Sequence, residues 1–266
     1  MSDASQPGWS EEQGPEPMPG AAQGAQSSQP VRISLPQRRP VVTYGLMGFT
    51  IAVYLLQLAS QNLTGLDYPA LLGAKINQAI LQGQLWRLIT PLFLHGSILH
   101  IGFNMYALYV LGPGLERHFG AGRYLVLYFL GGFAGNVSSF IMSTQASIGA
   151  STAIFGLLGA EGVFVYQNRR LFGNRFRSIL FNTLFIAAVN LAIGASFQGI
   201  DNWGHLGGLI GGTLYAWFAG PLWAVDGLYP NLQLVDRREK GQAFLAAVGV
   251  AVLFGVIFLI AAFQRG

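Results

Sequence analysis

A small set of polar residues in this chain has the types and spacing that peptide-bond chemistry needs. Ser151 lies in Gly149-Ala-Ser-Thr-Ala-Ile-Phe-Gly, where three small residues in a row let a backbone pass close to a neighbour or a substrate. A serine in the first turn of a helix sits among unpaired backbone N–H groups that favour negative charge, so a nucleophile there has part of an oxyanion site at hand. The same position also suits a plain helix cap. His205 lies in Trp203-Gly-His-Leu-Gly-Gly-Leu-Ile-Gly-Gly. Its imidazole can take a serine proton and return it to a leaving amine, or can simply pack and bond to a carbonyl. His100 and Asn104 are four apart, share one helix face and are both hydrogen-bond donors, as a tetrahedral oxyanion requires. His95 falls off that face and reads as a loop anchor. A metal site is the competing use of these histidines, but no carboxylate or cysteine accompanies them and no two histidines stand four apart as in a zincin.

Apolar helices must position these groups. Of 266 residues, 52% are hydrophobic and only 10% are charged, against about 25% in a soluble domain. So few charges cannot cover a surface in water, and the bilayer is the natural solvent. The 36 glycines fit helices whose backbones approach closely in lipid. Cysteine is absent, which removes disulfides, thiolate metal sites and cysteine nucleophiles. The net charge of +4 is spread over short loops and gives no nucleic-acid surface. Residues 1–40 are rich in Pro, Gln, Ser and Gly and read as a disordered tail without a signal-peptide pattern.

A spanning helix needs about 20 mostly apolar residues. Seven stretches qualify: Val41–Leu58, Pro91–Leu111, Tyr124–Met142, Ser151–Tyr166, Ser178–Phe197, Trp203–Ala219 and Ala243–Phe263. The expected fold is therefore an all-α, polytopic membrane bundle of seven transmembrane helices: a six-helix core over 41–220, a cytoplasmic loop over 221–242 and an additional helix over 243–266. With the N-terminus cytoplasmic, twelve Lys and Arg fall inside and only Lys75, Arg87 and Arg265 outside, as the positive-inside rule asks. The second, fourth and sixth spans then all begin on the outer side, which brings His95, His100, Ser151 and His205 to one depth. Gly204, Gly208 and Gly212 recur every four residues and offer a close-contact seam, with Gly156, Gly159 and Gly162 as the facing surface. The outer loop Gln61–Thr90 is too apolar for a linker and is expected to lie in the interface, with Trp86 in the headgroup belt and Arg87 reaching lipid phosphate. Glu161, ten residues into the fourth span, reads as a bonded structural carboxyl.

Taken in order, Trp86-Arg87, His95, His100, Asn104, Gly-Ala-Ser151 and Gly-His205-Leu-Gly-Gly resemble the rhomboid family of intramembrane serine proteases, over about Val41 to Ala219. The seventh span is similar to the added C-terminal helix of one bacterial subgroup. The resemblance implies a Ser151–His205 dyad without an acidic third member or any cofactor. The oxyanion hole would come from the Ser151 backbone N–H, His100 and Asn104. Phe155 would pack on His205, while Gly149 and Ala150 would line the substrate approach. Glu116 and Arg117 match a loop motif after the second span. The family commonly has glycine after the nucleophile; here Thr152 stands there, and its β-branch would narrow the pocket or shift the Ser151 N–H.

The substrates so implied are transmembrane segments of other proteins in the lipid bilayer. Such a segment must unwind locally to expose its scissile carbonyl, which Gly or Pro makes easier. A catalytically inactive rhomboid-like protein that binds membrane proteins as a chaperone is the alternative, and it predicts loss of Ser or His. A channel or transporter predicts repeats in matching halves, which the sequence lacks.

Overall fold

The structure is a computed structural model and describes residues 38–197, 199–228 and 232–265. The expected tail over 1–40 lies, but for its last three residues, outside the described residues. Long apolar runs fold as helices because lipid cannot satisfy backbone N–H and C=O groups, whereas a helix satisfies them internally. The helices are α1 (Val41–Thr64), α2 (Tyr68–Gly73), α3 (Asn77–Leu81), α4 (Ile98–Phe119), α5 (Ala121–Met142), α6 (Ser151–Gln167), α7 (Arg169–Phe172), α8 (Phe176–Ser196), α9 (Asn202–Ala219) and α10 (Lys240–Arg265). Five segments among the described residues are long and apolar enough to cross a membrane: α1, α4, α5, Arg169–Ser196 and α10. Their outer faces carry large exposed side chains such as Phe103, Tyr106, Phe181 and Leu259. A surface of that kind is stable only against lipid, and the chain is a mostly helical, polytopic membrane bundle.

Seven spans were expected, and the two that fall short are α6 and α9. α6 is only seventeen residues long, and α9 dilutes its apolar residues with Asn202, His205 and five glycines. Twelve of the seventeen residues of α6 are buried, and α6 packs against α4, α5, α8 and α9. A helix wrapped in protein has no need of a lipophilic surface. What these helices need is closeness, since lipid tails give no hydrophobic drive for helix association. A Cβ on Gly208 would lie 2.0 Å from Thr152 O, and one on Gly212 would lie 2.1 Å from Gly156 O. The opposite side of α9 presses on α5 in the same way, through Gly207 against Ser138 and Gly211 against Ala134. Gly162, expected on the α6–α9 seam, faces Leu180 and Thr183 of α8 instead.

Element boundaries move too. The second span was expected over Pro91–Leu111, but Ser97 caps α4 by accepting the His100 N–H, so the helix starts at Ile98 and runs on to Phe119. Glu116 and Arg117 therefore lie in the last turns of α4, not in a loop. The Glu116 carboxylate accepts from Val42 N, Thr43 N and Thr43 Oγ1 at 2.7–2.8 Å, satisfying N–H groups left open at the start of α1. The segment before α10 holds a two-stranded antiparallel hairpin, β1 (Trp223–Asp226) with β2 (Gln233–Asp236). It is tied to the bundle by Asn168, which bonds Pro221 O and Trp223 N, and by the Arg123–Asp236 ion pair at 2.7 Å.

The long loop after α1 is a folded cap. Arg87 does not reach outward to phosphate as expected. It is buried and donates to Gln84 Oε1, Ala74 O and Leu71 O, each at 2.7 Å. The physical reason is local: the turns around α2 and α3 leave carbonyls that no helix satisfies, and a guanidinium with five donors closes them. Trp86 is half exposed, with its indole N–H on Leu72 O.

Candidate active site

Three segments meet at the end of the bundle that carries this cap. The chain between α5 and α6 is clamped to the cap by Lys75. Its backbone exchanges hydrogen bonds with Ser147, and its ammonium donates to Ser143 O and Gln145 O. Burial lowers the Lys75 pKa from 10.5 to about 8. Beyond this clamp Gly149 takes φ +134°, a conformation that side-chain-bearing residues rarely adopt, and donates its N–H to Pro91 O. Ser151 then opens α6 as its first helical residue, with Ala150 at the cap position.

His205 occupies the first turn of α9, which Asp201 caps by accepting from Gly204 N at 2.9 Å. The glycine seam brings α9 against α6 so that His205 Nε2 lies 2.8 Å from Ser151 Oγ. Phe155, one turn after Ser151, stacks on the imidazole with centroids 4.4 Å apart and planes 7° apart, fixing the ring's tilt. His205 is buried.

His100 lies on the other side of Ser151. A Cβ on Gly149 would lie 2.7 Å from His100 Nε2 and 3.5 Å from Ser151 Oγ, so this glycine keeps open the gap between the hydroxyl and the His100 imidazole. Gly96 N lies 3.5 Å from His100 Nδ1, and His100 Nε2 is the nitrogen beside that gap. Asn104 follows one turn later, with one amide N–H on His100 O and a second still available. His95 lies before α4, outside any span, and is almost fully buried. Its Nε2 accepts from Ala150 N at 3.4 Å, so it sits under the Ser151 loop and not beside the nucleophile.

Thr152 points away from the pocket that was expected to narrow. Its side chain is buried between Gly135 of α5 and Gly204 of α9, where Cβ atoms would lie 2.7 and 2.9 Å from it. Glu161 accepts from Thr183 Oγ1 at 3.1 Å. Gln57 was not singled out in the sequence. It is a buried amide late in α1 that bonds the backbone of His95 in both directions and Asp67 Oδ2, holding the approach to α4. The signal was there: Gln57 is the one amide side chain between Val41 and Leu58 of an apolar helix.

A part-buried serine–histidine contact at one end of a glycine-packed membrane bundle defines a narrow class of proteins. Residues 82–222 match the Rhomboid domain, and the chain belongs to the rhomboid family. It is 41% identical over 216 residues to rhomboid protease GluP of Bacillus subtilis (strain 168), a match covering 81% of this chain and 40% of that protein. It is 34% identical over 209 residues to RHOMBOID-like protein 9, chloroplastic, of Arabidopsis thaliana, covering 77% of this chain and 46% of that one. With Rhomboid-like protease 3 of Toxoplasma gondii the identity is 37% over 144 residues, 54% of this chain and 55% of the relative. The chain thus spans about half the length of the relatives it matches, or less.

Proposed function

We propose that this chain is an intramembrane serine endopeptidase that hydrolyses peptide bonds in or near transmembrane helices of other membrane proteins. The observation that carries the reading is the 2.8 Å contact between His205 Nε2 and Ser151 Oγ. Its similarity to a rhomboid protease supports it.

In this reading Ser151 Oγ gives its proton to His205 Nε2 and attacks the scissile carbonyl carbon. The resulting oxyanion is received by the Ser151 backbone N–H, the His100 Nε2–H and the free N–H of Asn104. His205 then protonates the departing amine, and a water deacylates Ser151 by the same steps, a dyad form of serine-protease logic. Trp86, Arg87 and His95 act through the loops they hold. Gly149 and Ala150 border the place where substrate backbone would lie.

The topology belongs to the same proposal: seven spans, α6 and α9 included, with the N-terminus cytoplasmic and the site opening outward. Residues 41–220 form the protease core and α10 is an addition to it. The test is cleavage of a reporter membrane helix by purified protein in liposomes, with fluorophosphonate labelling as a second readout. Ser151→Ala and His205→Ala are expected to abolish cleavage. Undiminished cleavage by either variant overturns the proposal.

A further inference from the structure

The α9–α10 face carries a groove of about 520 Å³ whose lining includes neither Ser151 nor His205. Leu214 and Phe218 of α9 form one wall, Leu245 and Leu253 of α10 the other, and Gly249 leaves its floor open. One end is closed by Arg238 and Gln242. The Arg238 guanidinium donates Nε to Gly220 O and Nη2 to Trp217 O, so it is held at this end as a fixed charge. Its Nη1 has no protein acceptor among the described residues. Arg237 and Lys240 are exposed beside it, with Glu239 the one carboxylate between them. Asp236 is already matched by Arg123. The first turn of α10 starts at Lys240 and holds no acidic residue, while the exposed Glu239 precedes it at the cap position, its C=O accepting from Ala243 N.

The dimensions fit one leaflet. From Gln242 to Leu253 the helix rises about 16 Å, against a hydrocarbon half-thickness of about 15 Å. An apolar trough one leaflet long, headed by a fixed guanidinium, matches a single amphiphile with an anionic head. We propose that this groove is a binding site for an anionic phospholipid, its phosphate on Arg238 and one acyl chain over Gly249. Basic pockets between helices at the membrane surface recognise lipid phosphate in this way, each Lys or Arg adding about 1 kcal/mol. In the orientation proposed above, the lipid comes from the inner leaflet.

The experiment is native mass spectrometry of the purified full chain in detergent titrated with phosphatidylglycerol or phosphatidylcholine, with thermal stability followed in parallel. One phosphatidylglycerol is expected to remain per chain and to raise Tm, with phosphatidylcholine about fivefold weaker, the ratio expected for one charge contact. Arg238→Gln should lower phosphatidylglycerol retention by a similar factor. Because Arg238 also bonds two carbonyls, Gly249→Leu supplies the second arm. A Cβ at Gly249 meets nothing within 4 Å, so the new side chain fills the trough without disturbing its walls and should displace the lipid. Equal retention of the two lipids, retention undiminished in Gly249→Leu, or a lipid-free chain that dimerises through this face would each overturn the proposal.

Discussion

Gly208→Ala tests whether the glycine seam sets the distance between Ser151 and His205, the proposed nucleophile and base. The added Cβ would lie 2.0 Å from Thr152 O, where ordinary van der Waals contact begins at 3.4 Å. The neighbour is backbone, so no rotamer change relieves the clash and the helices must separate by roughly the 1.4 Å shortfall. Thr152 directly follows Ser151 and Gly208 lies one turn beyond His205, so the separation falls on the Ser151–His205 contact. It would open the 2.8 Å contact beyond hydrogen-bonding range. A misplacement near 1 Å costs about 10²-fold in rate, and overpacking a close-packed seam costs about 1–3 kcal/mol in stability. The expected variant is thus folded, somewhat less stable, and impaired about 100-fold or more in reporter cleavage and fluorophosphonate labelling. Gly255→Ala is the control, because its Cβ meets nothing within 4 Å. If Gly208→Ala cleaves at the wild-type rate while Tm falls, the seam is a packing feature only and the reasoning fails.

Two further perturbations follow from the same geometry. Lys75 has a folded pKa of about 8 against 10.5 when unfolded, so between those values the unfolded chain holds a proton that the folded chain has lost. Stability from this group therefore rises with pH across that window, by at most about 3 kcal/mol. Denaturation of wild type and Lys75→Met side by side should show their stability difference shifting in favour of wild type from pH 8 upward; a pH-independent difference would refute the assignment. Thr152→Gly, which restores the residue common in the family, should lower stability by about 2 kcal/mol through a cavity and helix entropy without speeding cleavage. A faster variant would return Thr152 to the pocket.

Why the sequence yielded some of this and withheld the rest is a matter of range. The chemistry-bearing residues were legible because ionisable and hydroxyl groups are costly at membrane depth and so stand out against 52% apolar background. Their positions were legible through period-four spacing, which identified Gly204, Gly208 and Gly212 as one face. Spacing does not say which neighbour a face meets, and so Gly162 was put on α9 when it serves α8. Nor does it show how a loop closes on itself, and Arg87 was sent to lipid when three nearby acceptors held it.

The same limit explains why hydropathy weakens where the site is. A helix facing lipid is selected for apolar surface, and α1, α8 and α10 show it. A helix pressed between others is selected for contact distance on the faces that meet them, and α9 meets that demand with five glycines, whose lost side chains lower hydropathy as they bring backbones together. The 2.8 Å contact between Ser151 Oγ and His205 Nε2 needs α9 to approach α6 closely. The glycines that make α9 a poor span by composition are therefore the ones that make a serine–histidine contact with α6 available. Substituting the lipid-facing Gly255 and the seam-forming Gly208 separates the two demands within one protein.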